Sequence, residues 1–141
     1  LANAGHCRPV LLRAGEPCIS GTPEKPDSPA LSGEPPRWAV KNLGTALGFE
    51  PGLEFERTAL TLHAGDTLIF YTDGVSEAFN PQDECYGDQR LLADAGLLAG
   101  QPPPTLTASL LERVRTFAAG APQSDDIAIL TMKVSGKPAG V

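Results

Sequence analysis

The sequence predicts an α+β fold, in which helices cover a sheet, and three observations indicate this class. Short β-branched and aromatic runs, the clearest being Thr67–Tyr71, lie in the first half of the chain. Apolar residues then recur at helical spacing in two later segments. A last apolar run, Ile127–Val134, closes the chain as a strand. The 141 residues are enough to fill one domain.

Composition narrows the possible functions. A hydrophobic content of 41% is ordinary for a globular protein, and a net charge of −6 disfavours nucleic acid as a partner. No apolar run approaches the roughly 18 residues of a membrane helix, so no membrane segment is expected here. The three cysteines, Cys7, Cys18 and Cys85, have no paired zinc spacing. They predict free thiols in a reducing cytoplasm.

Strands and turns account for most of the first half. Leu1–Arg13 has the pattern of a strand, a turn and a returning strand. The Pro-rich residues 21–36 predict a loop. In Phe55–Leu62 the alternation of Leu60 and Leu62 with polar residues predicts a half-buried strand. A tight link that ends in Asp66, expected to be a turn residue, would then make this strand an antiparallel hairpin partner of Thr67–Tyr71.

Two helices dominate the second half. After one helical turn at Val75–Phe79, Asp88 is expected to cap a helix that runs to about Leu98. A second helix should begin at Thr105 or Thr107, with Glu112, Arg113 and Arg115 turned to water. Its predicted buried face consists of Leu106, Leu110, Leu111, Val114, Phe117 and Ala118. Residues 135–141 are small and polar, which predicts a disordered tail after a domain that ends at residue 134.

An acidic residue follows the central apolar run at once. Asp73 stands in an Asp-Gly step, a strong turn signal, so it should lie at the carboxyl end of a core strand. There it can simply make the turn. A carboxylate held at the rim of a rigid sheet is also well placed to bind a hard cation or to act on a substrate.

A second acidic signal precedes the last strand. Asp125 and Asp126 are adjacent, and their charges repel unless a cation or hydrogen-bond donors compensate them. A polar turn with both side chains in water is the alternative. Taken with Asp73, the pair predicts that carboxylates at neighbouring strand ends converge on one metal ion.

Four spaced motifs resemble one family in their order along the chain. They are Asn3–His6, Leu47–Gly48, Thr72–Ala78 and the pair Asp125–Asp126 before Ile127–Leu130. This order is similar to that of the SpoIIE-like bacterial branch of the metal-dependent protein phosphatases, the protein phosphatase 2C (PPM) family. The resemblance extends from Asn3 to about Val134, and it implies an α/β/β/α sandwich of two sheets with metal ions bound between them.

The resemblance also implies a partial domain. Residues 1–134 match the C-terminal part of the catalytic domain, and the N-terminal strands and the first metal-binding motif, with its bridging Asp, are missing. By position, Asp73 and Asp125 would bind the same one of two Mn²⁺ or Mg²⁺ ions, and Asp126 would orient Asp125 from the second shell. No catalytic residue beyond the metal ligands is expected. His6 is assigned an architectural role, and Glu77 either faces the metal through water or is simply solvated.

The function implied by the resemblance is hydrolysis of phosphoserine or phosphothreonine on a regulatory protein. Relatives commonly act on anti-sigma-factor antagonists and carry N-terminal sensor or receiver domains. Without the bridging Asp, the isolated chain is expected to be inactive, and strand edges left uncovered would favour a homodimer. The alternatives are a non-catalytic phosphatase-like interaction module and a different metalloenzyme with an acidic site.

Overall fold

The computed structural model describes residues 2–15, 34–41 and 44–136, and within these ranges four antiparallel strands form one sheet in the order β2-β1-β3-β4. The strands are β1 (Val10–Leu12), β2 (Arg37–Trp38), β3 (Thr67–Tyr71) and β4 (Ile129–Lys133). The helices are α1 (Asp73–Ser76), α2 (Gly87–Leu97) and α3 (Pro103–Ala118). The mixture of helices and antiparallel strands is the α+β arrangement that the sequence predicts.

Strand β3 is the centre of the sheet, with the bounds that its apolar run predicts. Four of its five residues are buried, as expected for a strand with neighbours on both sides. Ile69 pairs with Val10 of β1, and Phe70 pairs with Leu130 of β4. The last strand is shorter than the predicted Ile127–Val134, since β4 starts at Ile129.

Helices α2 and α3 cover one face of the sheet. Leu91 and Leu106 are fully buried there, and the rings of Tyr86 and Phe117 meet edge to face with centroids 5.4 Å apart. This main core consists of Val10, Leu12, Ile69, Tyr71, Val75, Ala78, Tyr86, Leu91, Ala95, Leu98, Leu106, Leu110 and Val114. The predicted apolar face of α3 therefore points to the sheet.

The opposite face of the sheet is only partly covered. Leu11, Ala39 and Leu68 form a small second core, against which Leu60, Leu62 and Phe70 pack half-buried. Along β4, Leu130 and Met132 are 64% and 44% exposed, whereas the alternate residues Ile129 and Thr131 are half-buried. The sheet thus presents apolar side chains on the face against which none of the described helices packs.

The predicted strand at Phe55–Leu62, and with it the hairpin, is wrong. This segment contributes only an isolated bridge between Arg57 and Ala2, and the neighbours of β3 are β1 and β4. The predicted alternation of burial is present, because Leu60 and Leu62 are half-buried and Thr61 is exposed. A segment lying against a sheet face produces the same alternation as a strand inside the sheet. The first of the two strands predicted in Leu1–Arg13 is likewise reduced to the bridge at Ala2.

The helices exist as predicted but begin earlier. The single turn α1 starts at Asp73 itself, and α3 starts at Pro103, which is suited to a first helical position because proline has no N–H to satisfy. Asp88 is not the cap of α2, since it lies in the first turn and accepts a hydrogen bond from Arg8. Arg113 is also not simply solvated, because its Nη1 donates to Asp94 Oδ1 at 2.6 Å.

Asp66 lies in the predicted turn but does much more than make it. Its carboxylate is buried and accepts hydrogen bonds from Arg13 Nη1 at 2.5 Å, from the Ala14 amide at 3.0 Å and from the His63 amide at 2.8 Å. Burial alone raises the pKa of Asp66, but the two amides and the guanidinium together bring that pKa below its ordinary value. This ion pair fastens the segment after β1 to the start of β3.

Three predictions fall wholly or partly outside the described residues. Cys18, most of the Pro-rich loop at 21–36 and residues 137–141 of the predicted tail lie there. Cys7 and Cys85 are free thiols. In the part of the chain that the structure describes, no helix is both long and apolar enough to cross a membrane.

Candidate functional site

Asp73 and the Asp125–Asp126 pair lie side by side where β3 ends and β4 begins. We call this end of the sheet the acidic edge. In the antiparallel pairing of β3 with β4, Tyr71 faces Ile129, and the Thr72 amide donates to the Ala128 carbonyl at 3.1 Å. Continuing beyond these residues, the chain leaving β3 and the chain entering β4 stay side by side. The two acidic segments, more than fifty residues apart in sequence, are therefore neighbours in the fold.

The side chain of Thr72 joins the two segments. Its Oγ1 donates a 2.6 Å hydrogen bond to the carbonyl oxygen of Asp126 and accepts one of 2.9 Å from the Ala128 amide. Both bonds place the backbone of the acidic pair relative to the residue before Asp73. Sequence reasoning missed this role, although a hydroxyl residue next to Asp-Gly is a usable signal for it.

Gly74 permits the close approach of the two segments. A Cβ at this position would lie 2.5 Å from the Asp126 carbonyl oxygen and 2.7 Å from that of Asp125. Since real Cβ atoms do not make such contacts, only glycine allows the start of α1 to pack directly under the acidic pair. The glycine of the Asp-Gly step is thus required for this close packing.

The three carboxylates of this edge, those of Asp73, Asp125 and Asp126, belong to exposed residues. Asp73 Oδ1 accepts a hydrogen bond of 3.0 Å from the Gly74 amide, and Asp125 Oδ1 accepts one of 2.6 Å from the Asp126 amide. One oxygen of each of these two side chains is fixed by its own backbone. Among the described residues no three His, Cys, Asp or Glu side chains already form a group that could hold a metal ion.

Further hydrogen bonds tie the loop before the acidic pair to α1. Ser124 Oγ donates to the Glu77 carbonyl at 2.8 Å, and Gln123 Nε2 donates to the Asp125 carbonyl at 2.8 Å. Glu77 accepts the hydrogen bond from Ser124 through its backbone carbonyl, and its side chain is exposed.

The negative charge of this edge extends to Cys7. Burial raises the pKa of the Cys7 thiol, and the charge of Asp73 raises it further, followed by smaller effects of Asp88 and Glu77. By the pairing of β1 with β3, the residues just before β1 lie beside the chain that leaves β3. Cys7 was predicted only to be a free thiol, and its place beside Asp73 was not foreseen.

The Asn3–His6 turn lies at the same end of the sheet and is held by Asn3. The Asn3 side chain accepts from the His6 amide at 2.9 Å and donates to the His6 carbonyl at 2.7 Å. A Cβ on Gly5 would lie 2.8 Å from Ala46, and one on Gly44 would lie 2.2 Å from the Asn3 carbonyl oxygen. The turn therefore packs closely on the segment that leads into Leu47–Gly48, and its main contribution here is structural.

Solved structures with the same architecture are phosphatase domains of the PP2C type. The phosphatase domain of SpoIIE from Bacillus subtilis, presoaked with Mn, matches 98% of this chain with a TM-score of 0.64 and 15% identity. A second structure of that domain, with a fragment of its regulatory domain, matches 95% with a TM-score of 0.60 and 18% identity. The SiaA-PP2C domain of Pseudomonas aeruginosa matches 60% with a TM-score of 0.54 and 25% identity. The fold is thus part of a PP2C-type phosphatase domain.

The family is shown by the sequence as well. The model of the family described as Stage II sporulation protein E (SpoIIE) matches residues 1–135, and this chain belongs to that family. The protein IcfG of Synechocystis sp. (strain ATCC 27184 / PCC 6803 / Kazusa) is 39% identical over 62 residues, which are 44% of this chain and 10% of IcfG. The chain spans 51%, 34% and 35% of the three matched structures.

The residues at the acidic edge fit the divalent metal ions on which PP2C-type phosphatases generally depend. Exposed carboxylate oxygens are the ligands that Mg²⁺ and Mn²⁺ prefer. The glycine contact at Gly74 keeps the two acidic segments at the separation of neighbouring strands. A site made of Asp73, Asp125 and further oxygen ligands is chemically consistent with this arrangement.

Proposed function

We propose that this chain is part of a metal-dependent protein phosphatase domain that hydrolyses phosphoserine or phosphothreonine on a regulatory protein. One observation carries the proposal. The hydroxyl and amide hydrogen bonds of Thr72 and the bare Cα of Gly74 hold Asp73 beside the backbone of Asp125 and Asp126 at one edge of the sheet. Membership of the SpoIIE family supports the choice of reaction.

Each acidic residue has a distinct role in this proposal. Asp73 and Asp125 hold the same Mn²⁺ or Mg²⁺ ion, and Asp126 orients Asp125 through the bond between its amide and Asp125 Oδ1. Bound metal ions supply a water of lowered pKa and positive charge for the phosphoryl group. The chain's own residues set the position of the ligands, since Thr72 and Gly74 fix the distance between the two segments.

Electrostatics make substrate binding depend on that metal. The chain carries a net charge of −6, and Asp73, Asp88 and Glu77 all raise the pKa of Cys7 at this edge. Such an edge repels a phosphorylated side chain until cations neutralise it. Phosphopeptide binding should therefore require Mn²⁺ or Mg²⁺, and phosphopeptides should bind poorly to the metal-free domain.

The proposed setting is bacterial signalling in the cytoplasm. The resemblance favours an anti-sigma-factor antagonist as the phosphoprotein and an N-terminal sensor or receiver domain as the regulator. A matched Bacillus subtilis structure contains a fragment of a regulatory domain next to its phosphatase domain. Exposed Leu130 and Met132 on β4 support association with another protein surface, such as a second copy of the chain.

We propose further that the 141-residue chain alone is inactive. It spans 51% of the Bacillus subtilis SpoIIE phosphatase domain that it matches. Two carboxylate ligands and water bind Mg²⁺ or Mn²⁺ weakly, because affinity rises with the number of charged ligands. Activity is expected from a longer chain that covers the complete domain.

The test is phosphate release from a phosphoserine peptide by the extended domain. Mn²⁺ should support turnover, EDTA should abolish it, and Asp73→Asn and Asp125→Asn should each lower kcat/KM by more than a hundredfold, which is about 2.7 kcal/mol or more of transition-state stabilisation. Asp83→Asn is the matched control, because Asp83 is exposed with a φ of 59° that asparagine also adopts readily. Full metal binding with no turnover would instead identify a non-catalytic interaction module.

A further inference from the structure

A cavity of about 210 Å³ lies next to the acidic edge, between α1 and the end of α3. Gly74 of α1 and Ala78, two residues beyond α1, line one side, and Leu111, Val114 and Ala118 of α3 line the other. The loop that leads to Asp125 closes it. For scale, an engineered apolar cavity of roughly 150 Å³ is enough to bind benzene. The size suits a small ring with a short side chain.

The cavity combines an apolar wall with one cation. Arg115 lines it and is exposed, and it forms no ion pair with any of the described residues. In contrast, Arg113 on the same helix is bound to Asp94. The arginine beside the cavity is therefore available to a ligand.

Two opposing charges have to be weighed against Arg115. The carboxyl end of α3 carries roughly half a negative charge, but the Arg115 and Ala118 carbonyls there already accept bonds from Ala119 and Ala121. The carboxylates of Asp73 and Asp125 are exposed, and they repel an anion in the cavity as they do at the acidic edge. The guanidinium is the charge that contacts the carboxylate of the ligand, so its attraction acts at the shortest distance.

We propose that this cavity binds a small amphipathic anion, with an apolar ring against the α3 side chains and a carboxylate at Arg115. The site shares Gly74 with the acidic edge but takes a ligand of the opposite charge. It is also mechanically connected to that edge. Ser124 lines the cavity and bonds to the Glu77 carbonyl, and Gln123 lines it and bonds to the Asp125 carbonyl.

A ligand in the cavity therefore contacts the loop that positions Asp125. Filling the space beside Gly74, Gln123 and Ser124 should restrict the movement of this loop, because the ligand replaces solvent by packed atoms. The amide environments of residues 124–126 are expected to change on binding, even though the ligand does not contact the carboxylates. Through this coupling, a small ligand would influence the acidic edge independently of the phosphoprotein.

The experiment is a titration of the ¹⁵N-labelled chain with 3-phenylpropionate, followed by amide NMR shifts. We expect saturable shifts at residues 74, 111–118 and 120–127, with a Kd on the order of 1 mM for a ligand of this size. The neutral isostere 3-phenylpropionamide should bind about threefold to fivefold more weakly, the range of an exposed ion pair. The cation 3-phenylpropylammonium should bind more weakly still.

Variants locate the site and separate charge from shape. Arg115→Gln should reduce the affinity for 3-phenylpropionate to that of the amide, Arg115→Lys should retain most of it, and Arg37→Gln should leave it unchanged because Arg37 does not line the cavity. Ala118→Leu should weaken all three probes, and urea unfolding checks that each variant is folded. The proposal is overturned if no saturable shifts occur, if they lie elsewhere, if the ammonium probe binds best, or if Arg115→Gln has no effect.

Discussion

The hydroxyl group of Thr72 donates a 2.6 Å hydrogen bond to the carbonyl oxygen of Asp126, 54 residues further along the chain. Thr72 Oγ1 in turn accepts a hydrogen bond from the Ala128 amide. One side chain thus fixes the approach of the last strand to the residue that precedes Asp73. The candidate metal ligands are positioned by this contact and not by any bond between their own carboxylates.

Replacing Thr72 by valine tests the contact. The change keeps the β-branched shape and removes both hydrogen bonds, so we expect the free energy of unfolding to fall by about 1–2 kcal/mol. Thr72→Ser is the control, because serine keeps the hydroxyl and should lose less. Urea unfolding followed by circular dichroism measures both variants. Equal stability of Thr72→Val and the parent chain would mean that the bonds contribute nothing net.

Gly74→Ala tests the close packing under the acidic pair. An added Cβ would lie 2.5 Å from the Asp126 carbonyl oxygen, so the backbone of one segment has to move. We expect a loss of about 2 kcal/mol, typical of overpacking. Gly136→Ala is the control, since its Cβ would meet only Ala64 at 3.7 Å. If thermal or urea unfolding gives the two variants the same stability, the segments are not in contact as described.

Asp66 should make the chain sensitive to acid. Its pKa is lowered in the folded state, so its stabilising contribution is present above the ordinary value of 3.8 and is lost as the pH falls through the lower, folded pKa. Asp66→Asn should cost about 3 kcal/mol near neutral pH, because Arg13 loses its carboxylate partner and keeps only uncharged contacts such as the Thr61 carbonyl.

The measurement is the free energy of unfolding between pH 2 and 7 for the parent chain and Asp66→Asn. The difference between them should shrink toward the acid end of this range. A difference that stays constant with pH would show that the carboxylate charge is not what stabilises this turn.

The two tyrosines should remain protonated well into the alkaline range. Burial raises the pKa of Tyr71, as do the charges of Asp88 and Cys7. Burial also raises the pKa of Tyr86, whose hydroxyl donates to Asp94 at 2.5 Å. Because the folded pKa is raised, each tyrosine contributes fully to the stability of the fold below the ordinary value of 10.0. This contribution decreases as the pH rises from 10.0 toward the folded pKa.

Tyrosinate absorbance at 295 nm provides the measurement. The folded chain should develop little of it at pH 10, whereas the chain in urea should titrate both residues near that pH. Ionisation at higher pH should coincide with loss of the circular dichroism of the fold. A normal titration in the folded chain would contradict the burial of these hydroxyl groups.

Local pattern was enough to predict the main elements. The apolar run at Thr67–Tyr71 gave the bounds of β3, and helical spacing gave the buried face of α3 with Leu106, Leu110 and Val114. These features depend on periodicity, which neighbouring residues determine by themselves. Helix starts were less well predicted. The prolines before Thr105 were interpreted as a break in the chain, whereas Pro103 is the first residue of α3.

Features that depend on distant partners could not be predicted in the same way. The burial of Asp66 requires Arg13, 53 residues away, and the small size of Gly74 matters only because Asp126 packs on it. The alternation at Phe55–Leu62 was compatible with a strand and with a segment lying on the sheet. That Asp73 and the Asp125–Asp126 pair lie at neighbouring strand ends was predicted from the two acidic signals themselves, and the role of Asp73 and Asp125 as metal ligands stays a prediction.

Isothermal titration of the complete domain with Mn²⁺ tests the central claim most directly. Asp126→Asn should weaken binding by only about threefold, because it keeps the backbone amide that holds Asp125 Oδ1 and removes only a nearby exposed charge. Asp73→Asn and Asp125→Asn should each weaken it more than Asp126→Asn does, because each removes a charged ligand. If Asp126→Asn instead weakens Mn²⁺ binding more than Asp73→Asn does, the assignment of the metal ligands is wrong.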